Sequence, residues 1–228
     1  VILPAFTWIS TANAIEFLGA RPVFCDISLD TFNIDIGLIE GQINSHTRAI
    51  YPVNLFGLAA QMPEISRIAS NHNLRMVEDC ACGLGARIEG IHCGLFADGG
   101  VLSFHPRKSI TTGEGGMIIT NHSDIDHLAR SLRDHGADMS DYSRHMDGKS
   151  YQMSEYNRLG YNMRMTDLQG SIGIAQMEKL DEILNIRSKL AREYHERLSH
   201  ISWLQLPGFP GGYNHSYQAY CTLFKPQE

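Results

Sequence analysis

The chain is poor in several features, and each shortage narrows what it can be. No apolar run approaches the roughly 20 residues that span a bilayer, and no charged-then-apolar leader opens the chain, so a cytoplasmic protein with no membrane partner is expected. Positive charge is outnumbered: 19 Lys and Arg stand against 25 Asp and Glu, a net charge of -6. No Lys/Arg cluster offsets that balance, which argues against nucleic acid as a partner. Cysteine is sparse and odd in number, with only Cys25, Cys80, Cys82, Cys93 and Cys221 in 228 residues. Scattered through a chain too large to need disulfide staples, they are expected as reduced thiols. Cys80, Cys82, His92 and Cys93 lie near one another, but a one-residue gap falls short of the about two to four residues of a zinc knuckle, so buried thiols are expected there and no metal. Internal repeats and low-complexity tracts are also missing.

What remains is an ordinary globular composition, 43% hydrophobic and 19% charged, in a chain long enough to bury a large core. Short apolar runs at Val1–Pro4, Pro22–Asp26, Arg48–Val53 and Leu74–Val77 read as strands. They alternate with helical spacing over Thr7–Leu18, Ile36–Ile43 (capped by Asp35) and Met62–Asn71. Such alternation predicts a largely parallel α/β sheet, whose ligands sit beyond the carboxyl ends of the strands. Asp26, the loop at Asn54 and the pair Glu78-Asp79 fall there. Ser123 or Asp124 caps a helix to about Asp134, and the polar stretch Met139 to Leu159 reads as a flexible loop. Helices follow over about Asp167–Met177 and Leu180–Leu198, the second with Leu184, Ile186, Leu190, Tyr194 and Leu198 on one face. After the turn-rich Pro207–Gly212, Tyr217–Phe224 reads as the first strand of a second domain. The chain starts without methionine, in an apolar run, and stops just after another, so both ends are expected to be cuts in a longer protein.

The stretch Ser103-Phe104-His105-Pro106-Arg107-Lys108, continuing to Gly113-Glu114-Gly115-Gly116, lies between the apolar runs Gly100–Leu102 and Met117–Ile119. It reads as a polar turn between two strands. A lysine held there, Lys108, can be positioned and partly desolvated, which is how an amine becomes a nucleophile. Asp79 ends the preceding strand, and Glu78 beside it must point to the opposite face. An amine and a carboxylate so placed are what pyridoxal phosphate (PLP) requires, one for the Schiff base and one for the ring nitrogen. Trp8 at a helix start can stack on a ring. The Ser103 hydroxyl and the glycines can hold a phosphate or another backbone. Spacing alone leaves this one reading among several.

Six ordered stretches carry a resemblance: Phe6–Ala14, Val77–Ala81, Ser103–Lys108, Gly113–Gly116, Arg133–Gly136 and Gly160–Gln169. Together they resemble the consecutive motifs of the DegT/DnrJ/EryC1/StrS family of PLP-dependent sugar aminotransferases, of the fold type I, aspartate aminotransferase-like superfamily. The resemblance implies a large domain with a mostly parallel seven-stranded sheet flanked by helices, over residues 1–178 and lacking its N-terminal part. Residues 179–228 are then a linking helix and the truncated beginning of a smaller α+β domain. It implies Lys108 as the Schiff-base lysine and proton shuttle, Asp79 on the pyridine nitrogen, Trp8 stacked on the ring, and Ser103 on the phosphate. Asn162 would reach the phosphate of a neighbouring subunit in a homodimer with a shared active site. Cys82 stands near the cofactor where relatives carry Gln or His, and Ser109 follows the lysine where relatives carry Asn. His105, Arg164 and His215 are placed near substrate.

The activity this implies moves an amino group from an amino acid, L-glutamate by analogy, to a nucleotide-linked keto sugar, in cell-surface polysaccharide or secondary-metabolite sugar biosynthesis. Two alternatives stay open. A sugar dehydratase of the same family would carry histidine in place of Lys108, and a non-catalytic sugar-binding relative would not need the pair Lys108 and Asp79.

Overall fold

The computed structural model describes residues 1–139, 146, 151 and 153–226. Its centre is a six-stranded sheet in the order β2-β1-β3-β4-β7-β8, built from β1 (Ile2–Pro4), β2 (Val23–Cys25), β3 (Ala49–Ile50), β4 (Arg75–Asp79), β7 (Gly99–Ser103) and β8 (Gly116–Ile119). The first five strands are parallel, with Ile2 beside Val23 and Ile50, Ile50 beside Met76, and Val77 beside Gly99. Only β8 runs antiparallel, Ser103 facing Gly116. The strands are short, and Ile2, Leu3, Ile50 and Met76 on them are buried, as in a parallel sheet whose faces are covered. The expected sheet was mostly parallel, as observed; it counts six strands among the described residues, where seven were expected.

Helices α1 (Ile9–Phe17), α2 (Ile36–Gln42) and α3 (Met62–Asn71) fill the crossovers. Gly19, in the left-handed region at φ 69°, closes the turn after α1. Asp35 caps α2 by accepting from Gly37 N–H at 2.9 Å. In α3, Met62, Ile65, Ile68 and Ala69 form one buried face. They join Ile2, Ile39, Ile50 and Met76 in the main core.

Helix α4 (Ser123–Arg133) starts one or two residues earlier than expected. His122 occupies the cap position with no side-chain bond, and neither Ser123 nor Asp124 caps it. Helices α5 (Asp167–Met177) and α6 (Leu180–Leu198) lie where the periodicity put them. A capping box of Thr166 and Gln169 starts α5. The apolar face of α6 differs from the expected one: Leu180 and Ile183 pack on the core and Ala191 is buried, while Ile186, Leu190 and Tyr194 are exposed. Leu184 is held by Gly85, where an added Cβ would meet its methyls at 2.5 Å.

Two features had no forewarning. A hairpin of β5 (Arg87–Ile88) and β6 (Ile91–His92) turns through Glu89 and Gly90, both at positive φ. Its third strand is β10 (Tyr213–Asn214), antiparallel to β5. Within the expected strand Tyr217–Phe224, only β11 (Leu223–Phe224) is extended, pairing with β9 (Leu204–Gln205). Much of the expected loop Met139 to Leu159 lies outside the described residues. Among the described residues no helix is long and apolar enough to cross a membrane.

Candidate active site

Strand β4 separates its two terminal carboxylates, as alternation requires. Glu78 turns into the core and is 0% exposed. There it accepts from Gly94 N–H at 2.7 Å, Phe96 N–H at 2.9 Å and the Asn54 amide at 3.1 Å. Asp79 faces the other way, at the carboxyl end of the sheet. One oxygen accepts the Thr11 hydroxyl at 2.7 Å and the other accepts Ala81 N–H at 3.0 Å. Tyr51 stands near enough that burial, and then the negative charge of Asp79, push its phenol well above the ordinary value.

Strand β7, next to β4 in the sheet, ends at Ser103, two residues beyond the partner of Asp79. The chain then turns, with Lys108 N–H donating to His105 C=O at 2.9 Å. The Lys108 ammonium reaches back across the β4–β7 edge and donates to Cys82 Sγ at 3.2 Å. Asp79, Cys82, Ser103 and Lys108 are thus gathered at the ends of two adjacent strands. Ser103 Oγ accepts from His105 N–H at 3.4 Å. His105 Nδ1 accepts from Arg107 N–H at 3.2 Å, and its Nε2 stands 3.9 Å from Glu114.

The glycine-rich turn packs backbone on backbone. Phe104 N–H donates to Gly115 C=O at 2.9 Å, and an added Cβ at Gly116 would meet Leu102 C=O at 2.8 Å. Trp8 occupies the cap position of α1 and is 69% exposed. The Arg107 guanidinium carbon lies 6.0 Å from its ring centre. The strap after β10 closes the same side: Ser216 N–H donates to Gly57 C=O at 2.8 Å, and the Gln218 amide to Arg107 C=O at 3.0 Å. His215 stacks on Tyr217 with ring centres 4.0 Å apart, and burial lowers its pKa to about 4. Asn162 and Arg164 lie elsewhere on the surface, both tied to the end of α4. Asn162 bridges to Asp134, and Arg164 pairs with the Asp134 carboxylate at 2.5 Å.

Two readings of the sequence change here. Asn54, placed among groups facing a ligand, is fully buried and spent on Glu78, on Cys80 and on Ala60 N–H. Thr11, given no role, proves to be the side chain that holds Asp79. Its only sequence signal was membership of the Phe6–Ala14 stretch. Cys80 and Cys93 are buried, and Cys93 donates to Gly83 C=O at 2.9 Å.

An open, mostly parallel sheet with one antiparallel edge strand, carrying an amine and a carboxylate at its carboxyl edge, defines the large domain of a fold type I PLP enzyme. The donor set fits that cofactor: an amine in Lys108, a carboxylate in Asp79 already fixed by two neutral donors, and the hydroxyl of Ser103. The chain belongs to the DegT/DnrJ/EryC1/StrS aminotransferase family, whose sequence profile matches residues 1–228. The aminotransferases of that family use PLP.

A UDP-N-acetyl-3-dehydro-alpha-D-glucosamine 3-aminotransferase of Acidithiobacillus ferrooxidans is 38% identical over 221 residues, covering 96% of this chain and 56% of the relative. The chain therefore spans little more than half of that relative's length. Among solved structures, Helicobacter pylori PseC, an aminotransferase of pseudoaminic acid biosynthesis, superposes with a TM-score of 0.89 at 28% identity, over 98% of this chain and 57% of that one. Spr1654 of Streptococcus pneumoniae, solved in PLP and PMP forms, is 26% identical in its PMP form, with a TM-score of 0.87 over 98% of this chain and 61% of that one.

Proposed function

We propose that the protein is a PLP-dependent sugar aminotransferase, taking an amino group from an amino acid, L-glutamate, and giving it to the keto carbon of a nucleotide-linked sugar. The observation that carries this reading is the convergence of Lys108 and Asp79 on one sheet edge, the amine 3.2 Å from Cys82, three residues beyond the carboxylate. When bound, the cofactor supplies an electron sink for the carbon that bears the transferred nitrogen.

The chain's own residues do the rest. Asp79, held by Thr11 and Ala81, keeps a proton on the ring nitrogen. Lys108 Nζ would hold the cofactor, and its amine would take the proton from the donor's α-carbon and return one to the sugar carbon. Trp8 covers the ring, Ser103 binds the phosphate, and Cys82 takes the Lys108 hydrogen bond that is present here. His105 and His215 contact substrate from this subunit, and Arg164, tied to Asp134 beside Asn162, from the other.

The site is shared in a homodimer, with Asn162 reaching the phosphate of the other subunit. Support for that comes from the apolar residues around Asn162: Leu159, Tyr161, Met163 and, on α5, Leu168 are all exposed, Leu159 to 96%. A patch of that kind on a water-facing surface marks a contact with another chain. Residues 179–228 form the linker into a smaller second domain.

The test uses the intact protein. Pyridoxal phosphate should bind with the visible absorbance of a lysine-bound cofactor, L-glutamate should bleach it, and a keto-sugar nucleotide should restore it. Lys108→Ala should lose both the band and the turnover. Absence of the band in the wild type, or full transamination by Lys108→Ala, would overturn the reading.

A further inference from the structure

Asp79 owes its position to a side chain from a distant part of the chain. Thr11 lies in the first turn of α1 and is 2% exposed. Its hydroxyl stands 2.7 Å from Asp79 Oδ2 and 3.0 Å from the hydroxyl of Thr7. Thr11 has one hydroxyl proton, and a carboxylate can only accept, so that proton goes to Asp79 and Thr7 is the donor to Thr11. The direction of the chain is fixed: Thr7 to Thr11 to Asp79. Each donation polarises the next, and the last is charge-assisted, the stronger kind. The second Asp79 oxygen takes Ala81 N–H at 3.0 Å, so each oxygen has one neutral donor. α1 has no acidic residue in its first turn and no side-chain cap, and the Thr11 hydroxyl ties it to Asp79.

We propose that Thr11, backed by Thr7, is a positioning residue for the proposed reaction: it fixes the plane of the Asp79 carboxylate and thereby sets how firmly the cofactor's ring nitrogen keeps its proton. The inference rests on the assignment of Asp79 to that nitrogen. The Thr11 hydroxyl is buried and spent on Asp79 and Thr7. The bonds described for Ser103, Lys108 and Cys82 do not involve Thr11, so an effect of Thr11 reports on Asp79.

The experiment titrates apo intact protein with pyridoxal phosphate and follows the visible band of the bound cofactor against pH. Thr11→Val keeps the shape and removes the hydroxyl; Thr11→Ser keeps the hydroxyl. Thr11→Val should weaken cofactor binding by about tenfold, the scale of one lost hydrogen bond to a charged group. It should also move the pH midpoint of the band, while Thr11→Ser stays near wild type in both. Thr7→Val, which leaves Thr11 in place, should move both readouts the same way by less, and it decides the matter should Thr11→Val fail to fold. Wild-type binding and midpoint in Thr11→Val would overturn the inference, as would equal weakening in Thr11→Val and Thr11→Ser with an unmoved midpoint. Failure of the wild type to take up the cofactor would overturn the aminotransferase reading itself, and this inference with it.

Discussion

Replacing Glu78 with glutamine changes one atom and one charge at a buried carboxylate held by several donors. The carboxylate is fully buried and accepts from Gly94 N–H and the Asn54 amide on Oε2, and from Phe96 N–H on Oε1. A glutamine must put its NH2 in one of those two places. At the Oε2 position it faces two N–H donors and the Cys80 thiol, and at the Oε1 position it faces one N–H, so it settles at Oε1 and leaves Phe96 N–H unpaired. The loss is one charge-assisted bond, with the two N–H bonds that remain weakened to neutral strength. Relief of a buried charge offsets part of this. The net cost should be about 2 to 4 kcal/mol, a large share of the roughly 5 to 15 kcal/mol that holds a domain folded. Glu78→Ala, leaving all three N–H donors unpaired beside a cavity, should cost more. Urea unfolding at one fixed protein concentration measures both, so that any self-association weighs equally on wild type and variant. A Glu78→Gln midpoint within about 0.5 kcal/mol of wild type, the range of an ordinary surface change, would refute this account of the site.

The strap and its histidine supply two more tests. Gly57 has φ +100°, and a Cβ there would come within 2.6 Å of Ser216 Oγ and 2.8 Å of the Tyr217 and Gln218 nitrogens. Gly57→Ala should cost about 2 to 4 kcal/mol in thermal unfolding and expose the strap to limited proteolysis, because neither the backbone nor the neighbours can yield cheaply. His215 has its pKa lowered to about 4 by burial, and its Nδ1 accepts from Tyr217 N–H at 2.9 Å, a bond that protonation there would forfeit. A lowered folded pKa on a base means that stability is complete above about pH 6.5 and is lost as pH falls toward 4, by about 1.4 kcal/mol at pH 5.5. His215→Gln should flatten that dependence in urea midpoints measured at pH 7.5 and 5.5; an unchanged slope would count against a neutral, buried His215.

Local pattern was enough for most of the elements. The 3.6-residue spacing of Met62, Ile65, Ile68 and Ala69 placed α3 between its observed ends, and Asp35 marked the start of α2, because these signals act within one turn of chain. The order of motifs was enough to bring Lys108 and Asp79 into one reading. The hairpin β5–β6 escaped because two-residue strands have too little length for alternation to show, and the pairing of β5 with β10 closes across more than a hundred residues. The buried face of α6 was misjudged because its leucines and isoleucines ring the helix, and contact with Gly85 and the core decided which of them turn inward. Asn54 looked like a group awaiting a ligand until Glu78 was seen to consume it. The hold of Thr11 on Asp79 spans 68 residues of sequence. A hydroxyl carries no periodicity and no charge to reveal such a partner; only the parallel packing of β1 and β4 on either side of β3, with α1 leading away from β1, brings the two together.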